Sequence, residues 1–399
     1  MSKINELIKE MCPNGVEYVK LEELVDYIQP AKYIVKNTNY DIKYDVPVLT
    51  AGQTFILGYT NEKDGIYYAN ADNPIIIFDD FTTSNHWVDF NFKVKSSAMK
   101  ILISKTDNLF KYIYYCISNI DYVPKEHSRQ WIQVYSQFQI PLPPLKVQEE
   151  IVRIFDKFGE LEAELEAELE AELEARNSQY EFWRSKLLNK EYGNKRNIYE
   201  VTTWDKKFNS VEKNMQPNTI KYPNLLASDL FLLDRPKGNV FLLSTGEQTG
   251  WTTEELAGDN MCEGEVVTIP WGKSRPVSEV MKYYNGKFVT GDNRIATSND
   301  TNVLLNKYLY YWFQNKGTEI DTFYRGAGIQ HPNMKKVLTM IIDIPSIETQ
   351  KNIVRILDKF ESLVTDTVIG LSAEIELRRK QYGYYRNKLL SFEELSVSE

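Results

Sequence analysis

The chain is poor in the residues that most often carry chemistry. Its three cysteines, Cys12, Cys116 and Cys262, are odd in number and far apart, which excludes a disulfide framework and any CxxC metal or redox motif. The three histidines, His86, His127 and His331, show no metal-ligand spacing. There is no GxxxxGK(S/T) phosphate loop, no GxGxxG after a strand and no HExxH, and no GxSxG elbow. Asp79-Asp80 is an acidic pair behind an apolar run, but adjacent carboxylates on a strand point to opposite faces and make poor joint ligands. No apolar stretch reaches 18 residues, and the opening MSKINELIKEMCPNGVEY holds no apolar core of signal-peptide length. These absences point to a cytoplasmic protein without a membrane span, and they weigh against an enzyme.

What is present is unevenly spread. Hydrophobic residues make up 42% and charged residues 26%, ordinary for a globular protein, and the 26 tyrosines supply material for large cores or stacking surfaces. The net charge is −9, yet residues 147–189 alone hold 12 acidic and 5 basic side chains. Residues 1–146 carry 17 and 15, and residues 190–347 carry 18 and 19, so either region is free to form a basic face.

The chain also repeats itself. Residues 151–188 and 353–390 align without a gap at an offset of 202, with 19 of 38 positions identical. Ile151-Val152-Arg153-Ile154 matches Ile353-Val354-Arg355-Ile356, and Lys186-Leu187-Leu188 matches Lys388-Leu389-Leu390. Lys111–Tyr115 and Lys307–Tyr311 echo each other, within one expected helix per half at Lys111–Ile117 and Lys307–Phe313, as do loops around Gly52, Gly58-Tyr59-Thr60 and Gly246, Gly250-Trp251-Thr252. The unit is one globular domain followed by one long helix, used twice.

Residues 148–188 contain no proline and many helix formers, with Pro141, Pro143 and Pro144 just before them and Pro345 before the second copy. A helix of about 41 residues spans roughly 60 Å, too long for one small domain to cover. Its expected partner is its own copy, packed antiparallel about an approximate two-fold axis. Leu161, Leu165, Leu169 and Leu173 mark a tandem LEAE repeat. Each repeat adds about 6 Å and turns the stripe by roughly 40°. Glu162, Glu166, Glu170 and Glu174 repel at i, i+4, and Leu363–Leu377 offers no Lys or Arg against them. This face is either a solvated spacer surface or one that docks a basic partner or repels DNA.

The globular regions read as mixed α and β. Asn73–Phe78 is a short apolar strand, Val88–Val94 alternates with period two, and Asn285-Gly286 predicts a hairpin turn between Met281–Tyr284 and Lys287–Val289. Several loops combine Arg, Lys, Asn, Gln and Gly, the groups that suit base edges and phosphates. They are Thr82–Trp87, His127–Trp131, Trp271–Arg275, Asp292–Arg294 and Arg325–His331. The candidate nucleic-acid contacts are Thr82, Thr83, Asn85, His86, His127, Arg129, Gln130, Trp131, Lys273, Arg275, Asn293, Arg294, Arg325, Gln330 and His331. The residue types equally allow ordinary polar loops.

The pattern resembles the specificity subunit of type I restriction-modification systems over nearly the whole chain. The signatures are IPLPPLKVQEEIV at 140–152 and DIPSIETQKNIV at 343–354, the opening CPNGVEYVKLEELV, and the exits RSKLL and RNKLL. The resemblance implies an α+β chain with an internal pseudo-two-fold repeat. In it, two mixed target recognition domains (1–146 and 190–347) are joined by two long antiparallel helices (147–189 and 348–399). It implies that each domain reads half of a bipartite site on double-stranded DNA. The helices would set the gap and dock two methyltransferase subunits, which bind S-adenosylmethionine, and motor-nuclease subunits would bring ATP and Mg. This chain itself would hold no cofactor or metal and catalyse nothing. Two other readings stay open: a coiled-coil adaptor whose end domains bind protein or glycan, and a nucleic-acid-modifying enzyme with an unrecognised site.

Overall fold

The computed structural model describes residues 2–50, 52, 54–126, 128–246, 250–273, 275–291 and 293–395. It divides into two compact units, one formed by residues 1–168 with 372–399 and the other by residues 169–371. Among the described residues no helix is long and apolar enough to cross a membrane.

In the first unit, Glu17–Lys20 pairs antiparallel with Gln139–Leu142, so the strand that begins the globular part lies beside the strand that ends it. A helical turn, Leu21–Leu24, leads into a four-stranded antiparallel sheet. Its order is Val25–Ile28, Met99–Ser104, Ile75–Asp79, Asn85–Val88. All five residues of Ile75–Asp79 are buried, because both faces of the sheet are covered. Ile76 and Phe78 face a core shared with the helix Phe110–Ser118 and with Ile151 and Phe155. Ile75 and Ile77 face a second core with Leu49, Phe92 and Val94. That second core is closed by a small sheet of Ile56–Thr60, Val46–Leu49 and Lys93-Val94.

Burial alternates from Val88 to Phe92 but not beyond, since Lys93 and Val94 are both buried, and the segment does not make one strand. Asn85–Val88 ends in the large sheet, Phe92 exchanges backbone bonds with Tyr67, and Lys93-Val94 joins the small sheet. A period-two pattern here serves two sheets in succession.

The second unit follows the same plan with a larger sheet. Lys195–Asn197 pairs with Ile341–Asp343, and the helical turn Ile198–Val201 leads to Thr202–Trp204. The sheet order is Thr202–Trp204, Asn293–Ser298, Cys262–Pro270, Tyr283–Gly291, Val240–Leu243, Trp251-Thr252. The predicted Asn285-Gly286 hairpin does not form. Tyr283–Gly291 runs straight through it, with Asn285 opposite Glu265 and Gly286 opposite Gly264. Gly286 has φ 142°, and a side chain there would press to 3.2 Å from the Tyr284 hydroxyl, so the glycine serves a crowded ladder rather than a turn.

The long helices are Leu145–Leu188 and Ile347–Leu390, 44 residues each. Each starts on the same device. Gln148 is buried and takes the Leu109 N–H on Oε1 (3.1 Å), while its Nε2 donates to the Pro143 carbonyl (2.8 Å). Gln350 does the same with the Leu305 N–H (2.9 Å) and the Pro345 carbonyl (2.9 Å). Inside the first unit the two helices run antiparallel. Phe158 meets Tyr385 at 5.9 Å and Tyr382 at 5.6 Å, and further along Glu162 and Glu166 both bond Arg379 at 2.6 Å. The acidic face is therefore partly answered by a cation just beyond Leu377, which the count over Leu363–Leu377 leaves out. Inside the second unit Trp183 stacks on Phe360 at 6.5 Å. Of the repeat leucines, Leu161 is exposed and Leu165, Leu169 and Leu173 are partly covered.

The last described segment closes the first unit. Leu389 and Leu390 enter its core. The Val16 N–H donates to the Glu393 carbonyl (2.9 Å), the Leu395 N–H to the Val16 carbonyl (3.0 Å), and the Tyr18 hydroxyl to the Phe392 carbonyl (2.8 Å).

Candidate nucleic-acid interface

Each globular part is tied to its helix at a matched aspartate, joined in the second unit by Glu361, which also accepts from Tyr311 (2.9 Å). Asp156 accepts from the Tyr115 hydroxyl (2.5 Å) and from Lys111 Nζ (3.0 Å). Asp358 accepts from Tyr311 (2.6 Å) and pairs with Lys307 (2.9 Å). Burial, then the bond to the carboxylate, pushes both tyrosines far above the usual phenol range, so they stay protonated donors. Lys111, Lys307 and their tyrosines are thus structural, and the candidate contacts lie elsewhere, around the strand ends.

In the first unit the strand Ile75–Asp79 ends in a tight turn. Asp79 Oδ1 accepts the N–H groups of Phe81 (2.7 Å) and Thr82 (3.0 Å), and the Asp79 N–H reaches the Ser84 carbonyl (2.8 Å). Thr83 is held at φ 63°, a strained position for a β-branched residue. Its side chain is buried and donates to the Thr82 carbonyl, which removes it from the candidate contacts, whereas Thr82 is exposed. Asn85 and His86 are in a strand, not a loop. Asn85 takes the Ser118 hydroxyl proton, and His86 stacks on Phe55 at 4.2 Å, where burial lowers its pKa and keeps the ring neutral.

The segment at 128–131 lies against this turn. The Gln130 N–H donates to the Asp80 carbonyl (2.8 Å) and the Trp131 N–H to Asp80 Oδ1 (2.9 Å). Gln130 is buried and saturated, donating to the Ser128 carbonyl and accepting from Tyr122. Trp131 is buried against Phe78 at 5.0 Å. Neither presents a group to a ligand. Arg129 does, with its side chain 52% exposed. His127 lies outside the described residues.

In the second unit the loop after Cys262–Pro270 meets Arg325–His331, with the Lys273 N–H on the Gln330 carbonyl (3.2 Å) and His331 Nδ1 on the Trp271 carbonyl (2.9 Å). Lys273 is tied to Asp321 and covered by Tyr324. Asn293 is buried and donates to the carbonyls of Leu243 (2.9 Å) and Gly291 (3.1 Å). Arg294 is buried with its guanidinium 3.6 Å over the Trp271 ring. These three hold the tip together from within. Arg325, Gln330 and His331 are exposed and Arg275 is partly so. Ser274 and Asp292 lie outside the described residues.

Three residues escape a reading by loop composition. Asp80 and Lys100 are buried charges in the first unit, 3.4 Å apart. Lys282 in the second donates to the Gly246 carbonyl, and burial, then the charge of Arg275, pulls its pKa down to about 8. Lys100 had a signal: a charge inside the apolar strand Met99–Ser104 must find a partner. Among the described residues no group of three or more His, Cys, Asp or Glu side chains is arranged to hold a metal. What the tips offer is cations, an amide and an imidazole at the surface, the chemistry of polyanion and base-edge contact.

A family model described as "Type I restriction modification DNA specificity domain" matches residues 13–175 and again 228–377. The specificity subunit of the Escherichia coli type I restriction enzyme EcoR124I/EcoR124II is 38% identical over 411 residues, covering 98% of each chain. A putative type I specificity subunit of Haemophilus influenzae, S.HindORF215P, is 29% identical over 94% of this chain and 96% of its own. Among solved structures, one titled for complex assembly and conformational transition of the type I R-M system has a TM-score of 0.61 at 14% identity, over 95% of this chain and 98% of that one.

Proposed function

The chain belongs to the type I restriction-modification DNA specificity family, and on that footing we propose how it divides the work. Each globular part reads one half of a bipartite double-stranded DNA target, and the long helices fix the number of unread base pairs between the halves. The observation that carries this is the doubled architecture. The anchors recur at matched positions (Gln148 and Gln350, Asp156 and Asp358), while the tips carry different side chains. A duplicated frame with unlike tips suits an asymmetric, two-part sequence.

The chain contributes no catalysis in this reading. Two methyltransferase subunits carry S-adenosylmethionine, motor-nuclease subunits carry ATP and Mg, and the complex works in the cytoplasm, where its DNA is. Support for two copies of one partner comes from Phe182 and Tyr384, which hold matching positions on the two helices and are 59% and 61% exposed. Each stands beside a second aromatic, Trp183 and Tyr385. A surface that occurs twice suits a partner that binds twice.

The test is a methylome. The chain is co-expressed with its cognate methyltransferase subunit in a methylation-free host, and the DNA is read by modification-sensitive long-read sequencing. A new bipartite motif carrying N6-methyladenine is expected. A stable complex with methyltransferase that leaves the genome unmodified would overturn the reading.

A further inference from the structure

The two tips share a frame but not its chemistry. In the first unit Phe78 on the central strand faces Lys100 on its neighbour, and in the second Ile269 faces Arg294 in the same register. Both cations are buried. Two residues past Phe78 stands Asp80, whereas two residues past Ile269 stands Trp271. The buried cation lies 3.4 Å from the Asp80 carboxylate in one unit, and in the other it lies against the Trp271 ring and within the field of the Asp205 carboxylate.

Asp80 is fully buried and has three neighbours to serve. Its Oδ1 accepts the Trp131 N–H, while its Oδ2 makes no hydrogen bond and lies 3.4 Å from Lys100 Nζ and 3.8 Å from a terminal nitrogen of Arg129. Lys100 is held from the other side by the Tyr27 ring at 4.9 Å. One buried carboxylate between two cations leaves a net positive charge, and only Arg129 can present it to solvent. Arg129 makes no hydrogen bond to another described residue, so its planar fork is steered at the root and open at the tip. In the second unit the segment that meets the strand-end loop carries Ile329, 70% exposed, ahead of Gln330.

We infer that Asp80 is a positioning residue that aims Arg129 at a guanine in the half-site read by the first unit. A guanidinium fork fits the paired O6 and N7 acceptors of guanine in the major groove, and a fixed root preserves the geometry that bidentate contact needs. Trp131, buried beside Phe78, keeps the segment that carries Arg129 seated on Asp80. The inference rests on the half-site reading above.

The experiment is the same methylome run on variants, with competition by duplexes changed at single positions to measure base preference. The parent chain is expected to give one half-site with an invariant guanine that depends on residue 129. Arg129→Ala relaxes that position by about five- to 150-fold, since a bidentate contact carries about 1–3 kcal/mol of discrimination, and leaves the other half-site unchanged. Arg129→Lys keeps the charge and overall DNA binding but loses the guanine preference. Asp80→Asn relaxes the same position alone and less completely. If the buried Asp80→Asn change prevents folding, Arg129→Lys decides, because it leaves the interior intact. A guanine preference that survives in both Arg129 variants overturns the inference, as does a loss spread equally over every position, which marks a phosphate contact. A parent chain that yields no bipartite motif overturns the half-site reading itself, and this one with it.

Discussion

Gln148 and Gln350 stand 202 residues apart and hold the same two kinds of partner: a backbone N–H ahead of the domain's own helix and the carbonyl of the proline that precedes the long helix. A third bond completes each, to Asn108 Oδ1 at 3.1 Å and to the Val303 carbonyl at 2.8 Å. Both side chains are essentially inaccessible. Replacing either with Leu leaves a buried N–H and a buried carbonyl unpaired, at a cost of about 1–3 kcal/mol each. Denaturant unfolding of Gln148→Leu and Gln350→Leu is expected to show comparable losses. A change with no effect would mean that water takes over the bonds.

Inward and outward polar residues at the tips are separable. Trp131→Ala is expected to cost about 3–5 kcal/mol as a core truncation. Asn293→Ala leaves two buried carbonyls short of a donor, at about 1–3 kcal/mol. Both lower the melting temperature before they touch base choice. Arg325→Ala and Gln330→Ala, at exposed positions, are expected to leave stability within about 0.5 kcal/mol and to relax one half-site in the methylome. Relaxation of both halves by either change would refute the assignment of one half to each domain.

Lys282 carries a pH dependence with a definite sign. Its pKa falls from 10.5 to about 8 on folding, through burial first and Arg275 second. Between those values the folded chain binds fewer protons than the unfolded one, so stability rises with pH across that window. Lys282→Met removes this dependence. The variant is expected to melt above the parent at pH 7, with the gap narrowing towards pH 10, while its DNA affinity falls because a cation is gone. A melting difference that stays constant from pH 7 to 10 would contradict the buried-cation account.

Removing Leu169–Glu172 takes out one LEAE unit, about 6 Å of helix. The expected methylome keeps both half-sites and shortens the gap by about two base pairs at ~3.4 Å each. Full activity with an unchanged gap would mean that the helices do not measure the distance.

Internal repetition and the placement of proline carried most of the architecture into the sequence. The long helices, read as about 41 residues behind Pro144 and Pro345 and found with 44, and the helices Phe110–Ser118 and Asn306–Asn315 follow from proline-free runs of helix formers and from the internal repeat. The tips were less legible. Composition marks Gln130, Asn293 and Lys273 as polar but says nothing about direction, and all three turn inward, Gln130 to Tyr122 and Ser128 nearby in the chain and Asn293 and Lys273 to Leu243 and Asp321 far from them. Asn285-Gly286 failed as a turn because the nine-residue partner Cys262–Pro270 continues past it and holds the strand straight. Asp80 was discounted as half of an acidic pair. Its partners, Lys100 and Arg129, lie 20 and 49 residues on, beyond any local pattern.

The closure of the first unit by Leu389, Leu390 and the backbone bonds of 393–395 to Val16 sets an order of events on the ribosome. Residues 1–168 emerge first, yet their core lacks two leucines and the flank of Glu17–Lys20 until the final stretch is made. The whole second unit, residues 169–371, is synthesised in between. At 5–20 residues per second that delay is roughly 10–40 s. The first unit is thus completed only after the second has been made, and through that interval the flank of Glu17–Lys20 stays open.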